Sequence, residues 1–328
     1  MQFAQNKKSK FHPQITQVSQ GVRYKFLAFL FGGLWLTTIV LCVYLAFRTP
    51  PTNNPYPLLD FSRSFLDQKH FFTTLQPLRN SLNELVKSYS ANGDRVGIYF
   101  EYLNTGANIG IAEKDRFWPA SLSKMPTLIA VMKKVERGEW KLSDELVLFS
   151  DDKDDRYGEL YKRTVGTRFT IEELLKETII NSDNTAHKIL VRNLASEDYT
   201  DIFEALGITE LFDQNYDISP KEYSVLMRSL YASSYLKREY SNMLLDWLTQ
   251  TPFDYLLGAG IPDNVPFAHK IGEEYQQNVF LDAGIAYVEH RPYLLIVMAE
   301  SPEGMPRAKE IMKQVSEAVY DYVDKTNR

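Results

Sequence analysis

A serine hydroxyl becomes a nucleophile only when a base stands ready to take its proton. Ser121-Leu122-Ser123-Lys124 places one there if the segment is helical. Residues three apart on a helix share a face with Cβ atoms ~5–6 Å apart, close enough for a lysine amine to reach a hydroxyl. The spacing alone discriminates poorly, because Ser150 with Lys153 and Ser234 with Lys237 repeat it. Position separates them. Met125, Leu128, Met132 and Val135 mark one apolar face of a helix over 121–136, with Gly138 placed to stop it. Only Ser121 therefore opens a long amphipathic helix, where backbone N–H groups and the dipole can stabilise an oxyanion.

Two further clusters carry suitable chemistry. Ser182-Asp183-Asn184 occurs once, between a helix opening at Thr170 and the apolar positions Ala186, Ile189 and Leu190; by itself it reads as capping and turn residues. Lys270-Ile271-Gly272 lies in a strand pattern, where a lone lysine and glycine read as a solvated edge and a close backbone approach. His187 and His269 are expected to be structural, the latter pointing away from Lys270 by strand alternation. The acidic run 151–155 lacks the glycine and terminal glutamate of an EF-hand loop and reads as a solvated turn, so no metal site is expected.

The elements that must position these residues follow from periodicity. A helix is expected over 71–86, a strand over 95–103, a turn at Asn104-Thr105-Gly106 and a second strand over 107–112. Thr170 with Glu173 forms a capping box, and Ser219-Pro220 with Glu222 opens another helix. Strands are expected over 265–275, 279–289 and 292–300, then a helix over 305–323. Strands at both ends with helices between them give an α/β chain of the α+β type. Its antiparallel sheet is flanked by helices and faces an all-helical lobe across a cleft.

In this order and on these elements, the three clusters resemble the serine, S-D-N and K-T-G boxes of class A β-lactamases and penicillin-binding proteins. Phe117-Trp118-Pro119-Ala120-Ser121 and Phe169-Thr170-Ile171-Glu172-Glu173-Leu174-Leu175 belong to the same resemblance, which extends from about Phe71 to the C-terminus. It implies a serine hydrolase of that fold, without cofactor, whose partner is a small-molecule β-lactam or a peptidoglycan peptide. It makes Ser121 the nucleophile, Lys124 its base, Ser182 a proton relay and Asn184 a contact for the substrate amide. Lys270 becomes an electrostatic partner, Gly272 lines the substrate, and the N–H groups of Ser121 and Glu273 form the oxyanion hole. At a pKa of ~10.4 a neutral Lys124 costs about 4.6 kcal/mol at pH 7, so burial and the Lys270 charge must lower that pKa.

Three departures accompany the resemblance. The segment 207–217, where the family carries a glutamate and an asparagine that hold the deacylating water, is short; Glu210 with Gln214 keeps only the spacing, which leaves Glu210 as a candidate deacylation base. Ile271 stands where the family has a hydroxyl. Glu273 and Glu274 follow it, and Arg291, at a turn, is poorly placed to offset them. Acylation is thus expected to outrun deacylation. The rival reading is a catalytically weak binding protein that senses cell-wall peptides or β-lactams.

The rest of the chain locates this domain. The 328 residues carry a net charge of −5, which leaves no basic footprint for nucleic acid. The 22 uncharged residues 26–47 would span ~33 Å as a helix and read as a transmembrane anchor, with Cys42, the single cysteine, as filler. Lys7, Lys8, Lys10, Arg23 and Lys25 precede it and assign 1–25 to a cytoplasmic tail. Residues 48–60 read as a Pro-rich stalk and 61–328 as the hydrolase-like domain, extracytoplasmic and monomeric.

Overall fold

The computed structural model describes residues 25, 29, 32–41, 58 and 74–327. Met1–Asn54 and Pro55–Arg328 are separate compact units. In the first, residues 25, 29 and 32–41 are helical, and the Thr37 and Thr38 hydroxyls donate back to the Leu34 carbonyl at 2.8 Å each. The remainder of the expected anchor 26–47, the tail before Lys25 and all of the stalk except Leu58 lie outside the described residues. Among the described residues no helix is long and apolar enough to cross a membrane.

The second unit begins with α1 (Gln76–Ala91), then β1 (Arg95–Tyr102) and β2 (Asn108–Ile111). The helix starts five residues later than expected because Pro77 is tolerated only in a first turn, and it ends at Ala91, two residues before Gly93, which takes a left-handed φ of 85°. A 3₁₀ turn over Ala120–Ser123 runs into α2 (Lys124–Glu136). A two-stranded ribbon, β3 (Glu145–Val147) with β4 (Arg168–Thr170), precedes the helices α3 (Ile171–Ile179), α4 (Asn184–Arg192), α5 (Ser196–Leu206), α6 (Pro220–Tyr231) and α7 (Arg238–Leu248). The chain closes with β5 (Phe267–Glu274), β6 (Val279–Ala286), β7 (Tyr293–Glu300) and α8 (Met305–Asn327).

The five-stranded sheet runs β2-β1-β7-β6-β5, every neighbouring pair antiparallel. Alternation along the strands serves two cores. Ile98, Phe100, Leu295 and Val297 face one way, against Leu78 and Leu82 of α1 and Ile311, Val315 and Val319 of α8. Tyr99, Leu294, Ile296 and Met298 face the other, against α2 and the helical lobe. Residues 124–132 of α2 are all buried, so this helix is the axis of the lobe. The fold is the α+β sheet-and-lobe arrangement expected from periodicity, with β2 and β5 as the edges of the sheet.

Candidate active site

Ser121 sits within the 3₁₀ turn rather than on α2 itself, one residue after Ala120, whose φ of 43° is unusual for a residue with a side chain. Lys124 begins the helix. Pro126 cannot donate to the carbonyl four residues earlier, and the buried Tyr223 hydroxyl takes that place by donating to the Leu122 carbonyl at 3.2 Å. The turn that presents the nucleophile is thereby pinned to α6.

Lys124 is almost fully buried, and its Nζ meets Ser121 Oγ at 3.1 Å, Ser182 Oγ at 3.1 Å, Asn184 Oδ1 at 2.7 Å and the Ser182 carbonyl. An ammonium has three protons and a neutral amine two, so four oxygens exceed what either can donate to. A neutral Lys124 donates to the Ser182 carbonyl and Asn184 Oδ1 and accepts a hydrogen bond from the Ser121 hydroxyl through its lone pair, while Ser182 Oγ has a second donor in Lys270 Nζ. Burial, and then the charge of Lys270, pull its pKa well below the usual lysine value; Asp183 and Asp154 oppose this only in part.

Ser182 adopts a left-handed φ of 55° between α3 and α4 and is buried. Its hydroxyl joins the two lysines, accepting from Lys270 Nζ at 2.9 Å. Burial lowers the pKa of Lys270 to about 8, against the opposing charges of Asp282 and Glu273. Asp183 caps α4 by accepting from Ala186 N–H and also accepts from the N–H groups of Glu159 and Leu160, so it fixes the loop over the site.

The strand contributes through its edge. Tyr287 N–H donates to the Pro266 carbonyl, and β5 pairs with β6 in the register Phe267↔Ala286. Antiparallel alternation then directs the backbone groups of residues 268, 270 and 272 to β6 and those of 271 and 273 outward, toward the Ser121 turn. The Ile271 carbonyl accordingly accepts from Lys270 Nζ at 3.3 Å, and the Glu273 N–H faces the cleft. Ser121 N–H has no acceptor among the described residues. A Cβ at Gly272 would lie 2.9 Å from the Pro119 carbonyl, so only glycine allows this approach.

Ser121, Lys124, Ser182, Asn184 and Lys270 thus form one cluster. Glu210 does not join it: its carboxylate is 60% exposed and pairs with Arg116 at 3.3 Å. Asp213 is occupied by the N–H groups of Asn215 and Asp217. Arg291 donates to Thr326 of α8, and Ile271 is packed into the α1/α8 core. His187 is half-buried with its ring against the Thr127 hydroxyl at 3.0 Å, and loss of solvent around the ring lowers its pKa to about 3. Among the described residues no group of side chains could hold a metal ion.

The acidic run corrects the expectation of a plain solvated turn. Asp151, Lys153 and Asp155 are exposed, but Asp152 and Asp154 are buried. Asp152 pairs with Arg192, and Asp154 accepts from Asn184 Nδ2 at 3.1 Å. Hydrogen bonding to Arg156 first, and then to Lys188, keeps the Asp154 carboxyl ionised. Residues 151, 152, 154 and 155 are all aspartate, so the residue types alone do not tell the buried pair from the exposed one.

The model of the "Beta-lactamase enzyme family" matches residues 77–323. The chain belongs to that family. "Beta-lactamase 3" of Bacillus cereus is 27% identical over 205 residues, 58% of this chain and 63% of the relative, so the match spans less than two thirds of that protein. PBP-A superposes with a TM-score of 0.70 at 27% identity, covering 76% of this chain and 97% of PBP-A; a variant of it was solved as an acyl-enzyme complex with penicillin G. A β-lactamase from Sphaerobacter thermophilus shares the fold at 22% identity, covering 75% of this chain and 97% of that structure, with a TM-score of 0.69.

Proposed function

We propose that this β-lactamase-family protein forms an acyl-enzyme on Ser121 with a β-lactam or a cell-wall peptide amide and hydrolyses it slowly, from an anchor that holds the domain outside the cell membrane. The observation that carries the reading is Lys124 Nζ within 3.1 Å of both the Ser121 and the Ser182 hydroxyls. The Ser121 proton passes to neutral Lys124 as Oγ attacks the amide carbon. The oxyanion meets the N–H groups of Ser121 and Glu273. The proton then moves through Ser182 to the leaving nitrogen, the C–N bond breaks, and an ester on Ser121 remains.

Hydrolysis of that ester needs an activated water. Neither Glu210, held by Arg116, nor Asp213, held by its own turn, is in contact with the cluster. Loss of general-base help commonly costs ~10²–10⁴ in rate, which stretches an adduct's life from milliseconds toward seconds or longer. Full-length protein in detergent, mixed with labelled penicillin and followed by intact mass, is expected to gain one label on Ser121 rapidly and lose it slowly. Fast turnover without accumulated adduct would refute slow deacylation. Absence of adduct at high drug concentration would leave a binding protein.

A further inference from the structure

Past Gly272, β5 carries a carboxylate into an aromatic setting. Glu273 accepts from the Tyr255 hydroxyl at 2.6 Å and from the Tyr275 hydroxyl at 3.3 Å, so both partners are phenols rather than cations. Tyr157 comes from the opposite side of the cleft, on the loop whose carbonyl accepts from Asn184 N–H at 3.1 Å. Its ring centroid is 5.8 Å from that of Phe253, which is 6.3 Å from that of Tyr255. The Tyr157 pKa is raised by burial and then by the charge of Glu273, and the same charge holds up the pKa of Lys270. The carboxylate is therefore felt on both walls.

The nearby cations are already committed. Lys270 is bound to Ser182 and the Ile271 carbonyl, Arg156 pairs with Asp154, and Lys309 lies on the ring of Tyr255 at 4.5 Å. Ile271 has no hydroxyl and points into the core.

We infer that Glu273 sets the charge selectivity of the cleft, admitting acyl donors that bear a carboxamide or an ammonium group beside the scissile amide and disfavouring those with a free carboxylate there. The inference rests on the acyl-transfer reading above. If the acyl oxygen sits at the Glu273 N–H, a charge one or two bonds beyond the scissile nitrogen falls ~6–8 Å from the Glu273 carboxylate. At an effective dielectric of ~20, two like charges at that distance disfavour binding on the order of ten- to a hundredfold. A cation is attracted by the same carboxylate and by the ring faces around it.

The test reacts full-length protein with benzylpenicillin, its carboxamide and its aminoethyl ester, reading second-order acylation rates from the Ser121 adduct mass, for the parent and Glu273→Gln. The parent is expected to favour the amide and the amino ester by at least about tenfold. In Glu273→Gln that ratio should collapse toward unity, chiefly through a gain for benzylpenicillin. A parent that prefers benzylpenicillin, or a ratio unchanged in the variant, overturns the inference. If no compound acylates Ser121, the acyl-transfer reading fails separately. Charge selectivity is then read from thermal-shift binding of the same compounds, and equal or anion-favouring binding overturns it.

Discussion

Asp154 acts on the cluster from one residue away. It anchors Asn184 Nδ2, which leaves the second proton of that amide for a substrate carbonyl and aims Oδ1 at Lys124. Its negative charge also raises the Lys124 pKa, against the larger lowering by burial. Asp154→Asn removes that support, so Lys124 should lose its proton at lower pH still. The acylation rate, which falls as acid protonates Lys124, should then keep its plateau to lower pH, while the plateau itself drops by about tenfold or more as Asn184 loosens. A pH–rate profile of adduct formation reads both effects. A lower plateau with an unmoved acid limb would reduce Asp154 to a packing role.

Among the elements, the approach of the β5 edge to the Ser121 turn decides whether the two halves of the cluster meet. Gly272 permits it, since the Pro119 carbonyl is backbone and has little room to yield. Gly272→Ala is expected to reduce acylation by at least about tenfold while circular dichroism remains native, because the strand moves outward and takes Lys270 from Ser182. A parent-like rate in that variant would show that the contact is dispensable. Periodicity made the five strands of the main sheet, α2 and α6 legible but not the short β3–β4 ribbon, and the Thr170 capping box appears as expected, with Glu173 N–H donating to the Thr170 hydroxyl. Ser121, Lys124, Ser182, Asn184 and Lys270 were legible as motifs. What stayed hidden depends on tertiary contacts that no local pattern encodes: burial of Asp154, the Arg116 partner of Glu210, and the hydroxyl from α6 that replaces the missing Pro126 donor.

Across the whole molecule the site weakens the fold that holds it. The pKa of Lys270 is lowered by burial to about 8, so between pH ~8 and its unfolded value the unfolded chain binds more protons than the folded one. Stability from this group therefore rises with pH across that window, and the penalty is complete below about pH 8. Lys270→Met is expected to raise stability at pH 7 by about 1–3 kcal/mol while abolishing acylation, and the gain should shrink as pH climbs toward 10. His269, on the other face of β5, contributes with the opposite sign. Burial alone would lower its pKa, but Asp282 and Asp254 outweigh burial and raise it to about 9. Its stabilisation is present below pH ~6.5 and is lost as pH rises through 9. Denaturant unfolding of parent and variant across pH isolates the lysine, because the histidine is common to both. A gain that does not change with pH would contradict the assignment.

The order of strands in the sheet also governs when the protein can come into being. β1 is made early, yet its partner β7 is made nearly last, and Arg95 pairs with Glu300 across most of the domain's sequence. Until residues 293–300 arrive, the β1–β2 hairpin exposes an unpaired apolar edge of the kind that templates aggregation. Pairings this distant in sequence make folding slow. In a growing chain the helical lobe, with Ser121, Lys124 and Ser182, is complete in sequence before the C-terminal strands that pack against it are made. Lys270 and the Glu273 N–H come only when the C-terminal strands dock, so an unfinished chain is an unarmed one.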